Sequence, residues 1–423
     1  MRQRALVIGG SVGGLFAAHL LRKAGWDVAV FERAAGGLGD RGTGIGTRAE
    51  LFAAMRRIGI ASTVGVEVLG RVGLGPDGHI IHERPVRGVT SAWSRIWRPL
   101  RQAMPDALYN GDKALVRIEQ HAAGVAAVFA DGGRAEADVL IAADGLHSTV
   151  RAQLLPGLAP RYAGYVAWRG VVEPHQLAPD LHELMFRHMV FGFPDGELML
   201  SIPMPSPQGK AQGKAQEKPG APCCHFVWFR PADDSALAAL CTDANGRAHG
   251  LSIPPPLIRP ELIAGVKRDA VALLAPQLAA LVTRTAQIIL QPVFDLESPQ
   301  VAFGRVALIG DAAFVARPHV ASGVMKAAVD AETLSDAVAD ALASGRDMEA
   351  ALQRYNDDRQ PYGAWLVERG RHIGAAITAR DAEPQQRMET IMQEYGAAGL
   401  VRDQAITARV AGQSSHKTKP APK

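Results

Sequence analysis

The sequence has few cysteines and no long apolar run. Three of its 423 residues are cysteine, which is too few for a disulfide framework, and adjacent Cys223 and Cys224 cannot bridge each other without strain. This scarcity favours a reducing, cytoplasmic compartment. No stretch reaches the roughly 18 uninterrupted apolar residues that a membrane span requires. The apolar run over 5–21 is cut by four glycines, which argues against a signal peptide. We therefore expect a soluble protein without a membrane span.

Several chemical signatures are also missing. No group of His and acidic residues has metal-ligand spacing, and no serine lies in a Gly-x-Ser-x-Gly elbow, so metal-dependent hydrolysis and acyl transfer fit poorly. The net charge of +4 is modest, and lysines of a terminal tail and of one internal polar segment contribute to it. We expect no metal site and no nucleic-acid partner.

What is present is an ordinary globular composition, with 48% apolar and 21% charged residues. The chain opens as a parallel βαβ unit, because apolar runs at Ala5–Ile8 and Val28–Phe31 flank a helical pattern at Leu15–Ala24. Another buried strand is expected at Arg305–Ile309, and a helix at Gly323–Ala343.

The middle of the chain has a different pattern. Aromatic and β-branched residues alternate partially over Tyr162–Val172, Met189–Ile202 and Cys223–Phe229, which favours an open, substrate-side sheet. Apolar and charged residues at helical spacing over Leu352–Ile377 predict long helices packed across the first domain.

A glycine-rich motif lies between the first strand and the first helix. Gly9-Gly10-Ser11-Val12-Gly13-Gly14 is followed, about 20 residues on, by Glu32 at the end of the next strand. Glycines allow the backbone to approach a pyrophosphate at a helix N-terminus, and the carboxylate can accept hydrogen bonds from a ribose. Ser11 replaces the usual middle glycine, and its hydroxyl could donate to a phosphate. The motif alone does not separate FAD from NAD.

Two further motifs follow strands. Asp144-Gly145 comes after the strand Val139–Ile141, and Gly310-Asp311 ends the strand at Arg305–Ile309. The second offers a carboxylate to a sugar-like polyol, and the helix that begins a dozen residues later offers its N-terminus to an anion.

In this order and at these separations, the three motifs resemble the single-component flavin monooxygenases of the para-hydroxybenzoate hydroxylase type. The resemblance runs from Ala5 to about Arg369, and within the family it is strongest to members similar to 2,6-dihydroxypyridine 3-monooxygenase. It implies an α/β fold, α+β overall, in which a Rossmann-like FAD-binding domain with a parallel sheet accompanies a mostly antiparallel substrate domain and C-terminal helices. The implied boundaries are 1–75, 98–160 and 285–395 for the FAD-binding domain, 76–97 and 161–284 for the substrate domain, 206–222 for a flexible loop and 412–423 for a disordered tail.

The resemblance also implies cofactors and partners. FAD would be the cofactor, NADPH or NADH the co-substrate that binds transiently, and O₂ would react with reduced flavin to give the C4a-hydroperoxide that hydroxylates a small aromatic or heteroaromatic ring. The protein would act as a monomer or homodimer without a partner reductase. The residues expected to bind FAD are Gly9, Ser11, Val12, Gly14, Glu32, Arg33, Arg98, Asp144, Asp311, Pro318, Ala321, Ser322, Gly323 and Val324.

Three residues are candidates for catalysis. His319 is the first candidate for a base, since it follows Pro318 on the loop expected to face the flavin, although a hydrogen-bonded loop histidine is equally consistent. Tyr165 and Arg169 could form part of a substrate wall, but aromatic residues in a strand are more often core. Arg151 is interpreted as a solvated helix charge, and Ser148 as a cap of the turn after Asp144.

Other functions remain open at this point. A flavin oxidase, reductase or epoxidase can share this fold, since fold does not fix reaction. A non-catalytic redox sensor that binds a dinucleotide is a second alternative, and the presence of all three motifs argues against it.

Overall fold

The computed structural model describes residues 2–39, 44–47, 49–61, 65–206, 222–345, 347–380 and 383–395. Most of the loop expected at 206–222, namely 207–221, and the whole tail expected at 412–423 lie outside these residues.

The described part of the chain contains helices and strands throughout. The α-helices are α1 (Val12–Lys23), α2 (Ala49–Arg57), α3 (Trp93–Ala103), α4 (Thr149–Leu154), α5 (His182–Arg187), α6 (Asp234–Leu240), α7 (Pro260–Leu273), α8 (Pro276–Arg284), α9 (Gly323–Ser344), α10 (Met348–Thr378) and α11 (Pro384–Glu394). The strands are β1 (Arg4–Ile8), β2 (Asp27–Phe31), β3 (Gly44–Thr47), β4 (Val66–Val68), β5 (Gly70–Leu74), β6 (Ile80–Arg84), β7 (Gly88–Ala92), β8 (Tyr109–Asn110), β9 (Leu115–His121), β10 (Gly124–Phe129), β11 (Arg134–Ala137), β12 (Val139–Ala142), β13 (Arg161–Val172), β14 (His188–Gly192), β15 (Leu198–Pro205), β16 (Pro222–Pro231), β17 (Ile289–Glu297), β18 (Ala302–Phe303), β19 (Val306–Leu308) and β20 (Phe314–Val315).

A six-stranded sheet forms the centre of the first layer, in the order β18-β19-β12-β1-β2-β8. β1 pairs in parallel with both β2 and β12, and β12 pairs in parallel with β19. Residues 5–8 are almost fully buried because helices cover the sheet, with α1 packing against α9. The predicted parallel βαβ unit is confirmed. The turn at Asp131–Gly133 joins β10 to β11, and β12 follows directly.

An eight-stranded sheet forms the second layer, in the order β20-β17-β13-β16-β15-β14-β5-β6. Neighbouring strands are antiparallel except β14 and β5, so the predicted mostly antiparallel sheet is confirmed. One face packs on α5, α7 and α8 around a core that includes Trp168 and Trp228. The opposite face, here called the inner face, packs on α10 and α11 and includes Tyr165, Val227 and Phe229.

Strand pairing can be compared with the domain boundaries expected at residues 75 and 285. β5 precedes the boundary at residue 75 but pairs with β14 in the eight-stranded sheet, and β17 follows the boundary at residue 285 but pairs with β13 in the same sheet. β7 pairs with β3 and β4 in a separate three-stranded sheet. The boundaries themselves stay a prediction.

The C-terminal helices connect the two layers. Residues 348–378 form the single helix α10, which contains Pro361 and packs on both α9 and β17. Within the described ranges, no helix has the length and apolar character needed to cross a bilayer.

Candidate active site

Four neighbouring parallel strands end at the same edge of the six-stranded sheet. β19, β12, β1 and β2 are followed at that edge by Asp311, Asp144, Gly9 and Glu32. The carboxyl ends of parallel strands are where open α/β sheets bind ligands. The three sequence motifs therefore meet in space although successive motifs are about 130 to 170 residues apart in the chain.

The glycine-rich loop is packed so closely that side chains are excluded. Gly9 has φ +109°, and a Cβ on it would lie 2.2 Å from the carbonyl oxygen of Ala143. A Cβ on Gly14 would lie 1.9 Å from the oxygen of Gly9. Ser11 is the N-cap residue of α1, and its side chain makes no capping hydrogen bond. The N-terminal N–H groups of α1 therefore remain available to an anion.

Glu32 fixes the other side of this loop. Its Oε2 accepts a hydrogen bond of 2.8 Å from the N–H of Gly10, and its Oε1 accepts one of 2.9 Å from the N–H of Ala34. Glu32 as a whole residue is 7% exposed. Each oxygen keeps a lone pair that can accept from a ribose hydroxyl.

A pocket of about 400 Å³ lies at this edge of the sheet. Its lining combines the glycine-rich loop, the end of β2 and the Asp-Gly motif, and consists of Ile8, Gly9, Ser11, Phe31, Glu32, Arg33, Leu38, Trp93, Lys113, Ala114, Leu115, Ala143, Asp144, Gly145, Leu146, His147 and Thr149. This size and mixture of apolar walls with a few polar groups suits a nucleotide.

Asp144 is anchored at the start of α4. Its Oδ2 accepts hydrogen bonds from the N–H of Thr149 (2.8 Å) and of Val150 (3.3 Å). Its buried Oδ1 has no hydrogen-bond partner among the described residues. Burial raises the pKa of this carboxyl group. A buried acceptor at the pocket wall is a position that a ligand hydroxyl can satisfy.

Arg151 is buried, so the expectation that it is a solvated helix charge is wrong. Its guanidinium is buried and donates to the carbonyl oxygens of Ala312 (3.0 Å) and Leu146 (2.5 Å). It thus joins the Asp-Gly motif to the Gly-Asp motif, and it supplies the donor that the buried carbonyl of Ala312 needs. Ser148 caps α4 as predicted, since its Oγ accepts from the N–H of Arg151.

The Gly-Asp turn rests on a buried charge network. Lys326 donates to the carbonyl oxygen of Gly310 (2.7 Å) and to Asp330 (3.2 Å), and Asp330 also accepts from Arg359. Burial by itself would raise the pKa of Asp330, but Lys326 and Arg359 hold it below its ordinary value. Asp311 is exposed to solvent at this turn. The protein atoms around its carboxylate nevertheless reduce its hydration and so raise its pKa.

The loop that leads into α9 follows this turn. Ala321 has φ +50°, in the left-handed region, and Ser322 donates its hydroxyl to the oxygen of Val320 instead of capping α9. Gly323 is exposed, and Pro318 and Val324 are half-buried. The N-terminus of a 22-residue helix is therefore presented to solvent at the end of the loop.

His319 points into the protein. Its Nε2 lies 2.7 Å from the carbonyl oxygen of Gly370, and its ring contacts Tyr165 and Phe229 at centroid distances of 6.1 and 5.6 Å. The side chain is 0% exposed, and burial lowers its pKa to about 3. These contacts favour the alternative of a hydrogen-bonded loop histidine.

Tyr165 and Arg169 both lie on the inner face of the large sheet. Tyr165 is 1% exposed, and its hydroxyl lies 3.5 Å from Nη1 of Arg317. Arg169 is 7% exposed, and burial lowers its pKa to about 10, so it remains charged at neutral pH. The two residues are buried, as expected of core positions in a strand.

The remaining predicted cofactor residues fall in different places. Arg33 is exposed beside the pocket, and Val12 is buried in the first turn of α1. Arg98 donates to the carbonyl oxygen of Gly39 at 3.2 Å, while Arg33 and Lys113 are the arginine and lysine side chains of the pocket lining.

Sequence reasoning missed several side chains that complete the loop. Trp97 donates from Nε1 to the oxygen of Gly10 at 2.9 Å, and the Tyr109 hydroxyl would touch any Cβ on Gly10. Trp93 and Lys113 line the pocket. These four residues belong to no local sequence motif. Their positions beside the loop follow from tertiary contacts, which the sequence alone does not reveal.

The residues at this edge fit FAD. The uncapped α1 suits a pyrophosphate, Glu32 suits a ribose, Asp311 suits the ribityl chain, and the start of α9 suits the flavin ring. The fold and the site together define a dinucleotide-binding flavoprotein.

Comparisons with known proteins identify the family. The family described as "FAD binding domain-like" matches residues 162–295, and the family described as "FAD binding domain" matches residues 292–370. The chain is 31% identical to 2,6-dihydroxypyridine 3-monooxygenase of Paenarthrobacter nicotinovorans over 83% of this chain and 86% of that protein. It is 27% identical to 6-hydroxynicotinate 3-monooxygenase of Pseudomonas fluorescens over 84% and 87%, respectively.

A solved structure of a related enzyme has the same fold. The 2,6-dihydroxypyridine-3-hydroxylase of Arthrobacter nicotinovorans is 29% identical, covers 90% of this chain and 94% of its own, and superimposes with a TM-score of 0.82. The chain belongs to the FAD-dependent aromatic hydroxylase family and is a flavin monooxygenase.

Proposed function

We propose that this enzyme hydroxylates a small, electron-rich N-heteroaromatic ring, with NADPH or NADH as reductant and O₂ as oxygen donor. One observation carries the proposal. The loop at 317–323 runs from the edge of the FAD site to the inner face of the large sheet, where His319 contacts Tyr165 and Phe229. A ring bound beside this contact, over the inner face, would lie against the flavin end of the cofactor.

Bound FAD supplies the acceptance of hydride from the nicotinamide and the activation of O₂. The chain supplies position and electrostatics. The N-terminus of α9 stabilises negative charge, since its first N–H groups lack a side-chain cap. Glu32 and Asp311 accept hydrogen bonds from sugar hydroxyls, and the buried inner face excludes water.

The catalytic roles of Tyr165, Arg169 and His319 remain proposals. We propose that Arg169 supplies positive charge to the substrate side of the site and that Tyr165 closes its wall. His319 is poorly suited to act as a base, because its lowered pKa makes the imidazole a weak proton acceptor and its Nε2 is engaged with the carbonyl oxygen of Gly370. Its contacts support a positioning role for the loop. A cytoplasmic location and a monomeric or homodimeric state also stay predictions.

The test begins with the absorbance spectrum of the purified protein. Oxidation of NADH and NADPH is then followed by stopped flow, with and without 2,6-dihydroxypyridine, 6-hydroxynicotinate and simple phenols. Ligand-stimulated oxidation with one ¹⁸O atom from ¹⁸O₂ in the product supports the proposal. Stimulated oxidation that yields hydrogen peroxide and no labelled product would favour an oxidase, and absence of any ligand response would favour a redox sensor.

A further inference from the structure

Asp295 is a buried carboxylate near the end of β17, and it is not part of the lining of the FAD pocket. Its Oδ2 accepts hydrogen bonds from Nε and Nη2 of Arg317 at 2.9 and 2.8 Å. Its Oδ1 accepts hydrogen bonds from Nε and Nη2 of Arg371 at 3.1 and 2.9 Å. Loss of a donor from a buried charge is costly, so the three side chains hold one another in place.

The two arginines belong to different parts of the fold. Arg317 begins the loop at 317–323, which follows β20 and leads to the N-terminus of α9, and its side chain is 13% exposed. Arg371 lies on α10, is 38% exposed, and also donates to Oε2 of Glu297 at 2.9 Å. Asp295 therefore reaches the loop through Arg317 alone, while Arg371 connects Asp295 to α10.

α10 holds the same loop by close packing against its backbone. Nε2 of His319 lies 2.7 Å from the carbonyl oxygen of Gly370. A Cβ on Gly370 would lie 3.1 Å from the backbone nitrogen of Arg317, and a Cβ on Gly374 would lie 2.5 Å from its Nη1. The two glycines are four residues apart and share one face of the helix. Arg317 and His319 are thus both anchored, which fixes Pro318 between them.

Pro318 and Gly323, near the two ends of this loop, are residues expected to border the flavin ring. Towards α9 the loop has Ala321 in the left-handed region, and the hydroxyl of Ser322 donates to the oxygen of Val320. A loop displaced at Arg317 would therefore uncover the flavin ring. The proposed sites for the pyrophosphate and the ribose, at α1 and at the end of β2, would keep their shape.

We propose that Asp295 is a positioning residue, which acts through Arg317 to hold this loop over the flavin ring and keep water away from it. In the coupled reaction NAD(P)H, a proton, O₂ and an aromatic C–H give NAD(P)⁺, water and C–OH. In the uncoupled reaction NAD(P)H, a proton and O₂ give NAD(P)⁺ and hydrogen peroxide. A displaced loop should favour the uncoupled reaction, since exclusion of water prevents such side reactions. The statement about coupling rests on the proposed function, and the statement about the flavin does not.

The first measurement needs no substrate. Acrylamide quenching of flavin fluorescence in the FAD-loaded protein reports how far solvent reaches the ring, and FAD titration and urea denaturation are measured alongside. Asp295→Asn removes the charge, Arg317→Met removes the donors of the loop, and Arg317→Lys keeps the charge with a single ammonium group. Arg371→Met and Glu297→Gln are the controls, because they alter the same ionic network without changing its contact with the loop.

Asp295→Asn and Arg317→Met should raise the quenching constant by at least about threefold, because the loop no longer shields the ring. Their Kd for FAD should change by less than about threefold, because other residues form the pyrophosphate and ribose sites. Arg317→Lys should recover much of the protection. Arg371→Met should lower the free energy of unfolding without raising the quenching constant, and Glu297→Gln should resemble wild type.

The second measurement is turnover with 2,6-dihydroxypyridine under ¹⁸O₂. The ratio of labelled product to hydrogen peroxide should fall by about tenfold in Asp295→Asn and Arg317→Met, since small displacements of groups near a reacting centre have large effects. Arg371→Met and Glu297→Gln should keep the wild-type ratio.

A purely structural role is established, and the proposal overturned, if Arg371→Met exposes the flavin as much as Arg317→Met does. Wild-type quenching in Arg317→Met would also overturn it. If Asp295→Asn does not fold, the comparison of Arg317→Met, Arg317→Lys and Arg371→Met decides the question. Absence of labelled product from wild type would refute the proposed function for this probe, and the quenching measurements would still decide the role of Asp295.

Discussion

Arg151 donates a hydrogen bond of 3.0 Å to the carbonyl oxygen of Ala312, 161 residues further along the chain, and so joins the Asp-Gly motif to the Gly-Asp motif. The same guanidinium holds Leu146 after Asp144. The edge of the proposed FAD site is thus held by a buried side chain that need not touch the cofactor.

Arg151→Met should therefore weaken FAD binding by about tenfold and reduce the free energy of unfolding by about 1–3 kcal/mol, because the buried carbonyl of Ala312 and the half-buried carbonyl of Leu146 lose their donor. FAD fluorescence titration and urea denaturation measure the two effects. Arg117→Met, at an arginine whose side chain is 55% exposed, is the control and should change neither. Equal behaviour of the two variants would contradict a role for Arg151 in joining the motifs.

Gly14→Ala should give a protein that retains little FAD and unfolds about 1–3 kcal/mol more easily, since the added Cβ would lie 1.9 Å from the oxygen of Gly9. The matched control is Gly265→Ala in α7, where the nearest atom to an added Cβ is the end of the Arg268 side chain at 3.8 Å. Alanine favours helix more than glycine does, so this control should be neutral or stabilised by up to about 1 kcal/mol. Destabilisation of both to the same extent would speak against the packing argument.

Glu32→Ala should raise the Kd for FAD more than Glu32→Gln does, because glutamine keeps one acceptor oxygen and alanine leaves the N–H groups of Gly10 and Ala34 unpaired. We expect about tenfold for alanine, measured by equilibrium dialysis with FAD. Glu136→Ala, where the side chain is 56% exposed, should bind FAD as wild type does. A wild-type Kd for Glu32→Ala would show that the carboxylate serves neither the loop nor the ribose.

His319 should make the fold sensitive to acid. Its pKa is about 3 in the folded protein and about 6.5 when unfolded, so the unfolded chain binds more protons between these values. The free energy of unfolding is therefore unaffected by His319 above about pH 6.5. It falls as the pH drops towards 3, and the loss due to His319 is about 2 kcal/mol at pH 5.

His319→Gln keeps a donor for Gly370 and removes this titration. Urea denaturation at pH 7.5 and pH 5 should show a smaller loss of stability in the variant than in wild type or in His121→Gln. The pH profile of turnover between 6 and 8 should keep its shape. Disappearance of an ionisation near neutral pH in the variant would instead identify His319 as a base.

How far the site could be predicted depends on whether its requirements are local. The glycine-rich loop, the Asp-Gly turn and the Gly-Asp turn each need a backbone conformation or a close approach that only certain residues allow, as the φ of +109° at Gly9 illustrates. Such requirements are visible in short stretches of sequence. The order of the strands then follows from parallel pairing, which brings the three motifs to one edge.

The sequence by itself therefore determined the meeting of the three motifs at one edge of the sheet, the two kinds of sheet and the helix that begins at Gly323. Only the tertiary structure decided that Arg151 is buried and joins two motifs, that Trp97 donates to Gly10 and that His319 turns inwards. Burial and pairing of a polar side chain depend on neighbours that are often far away in the chain. Local pattern does not encode those contacts, because they arise only when the sheets and helices pack together.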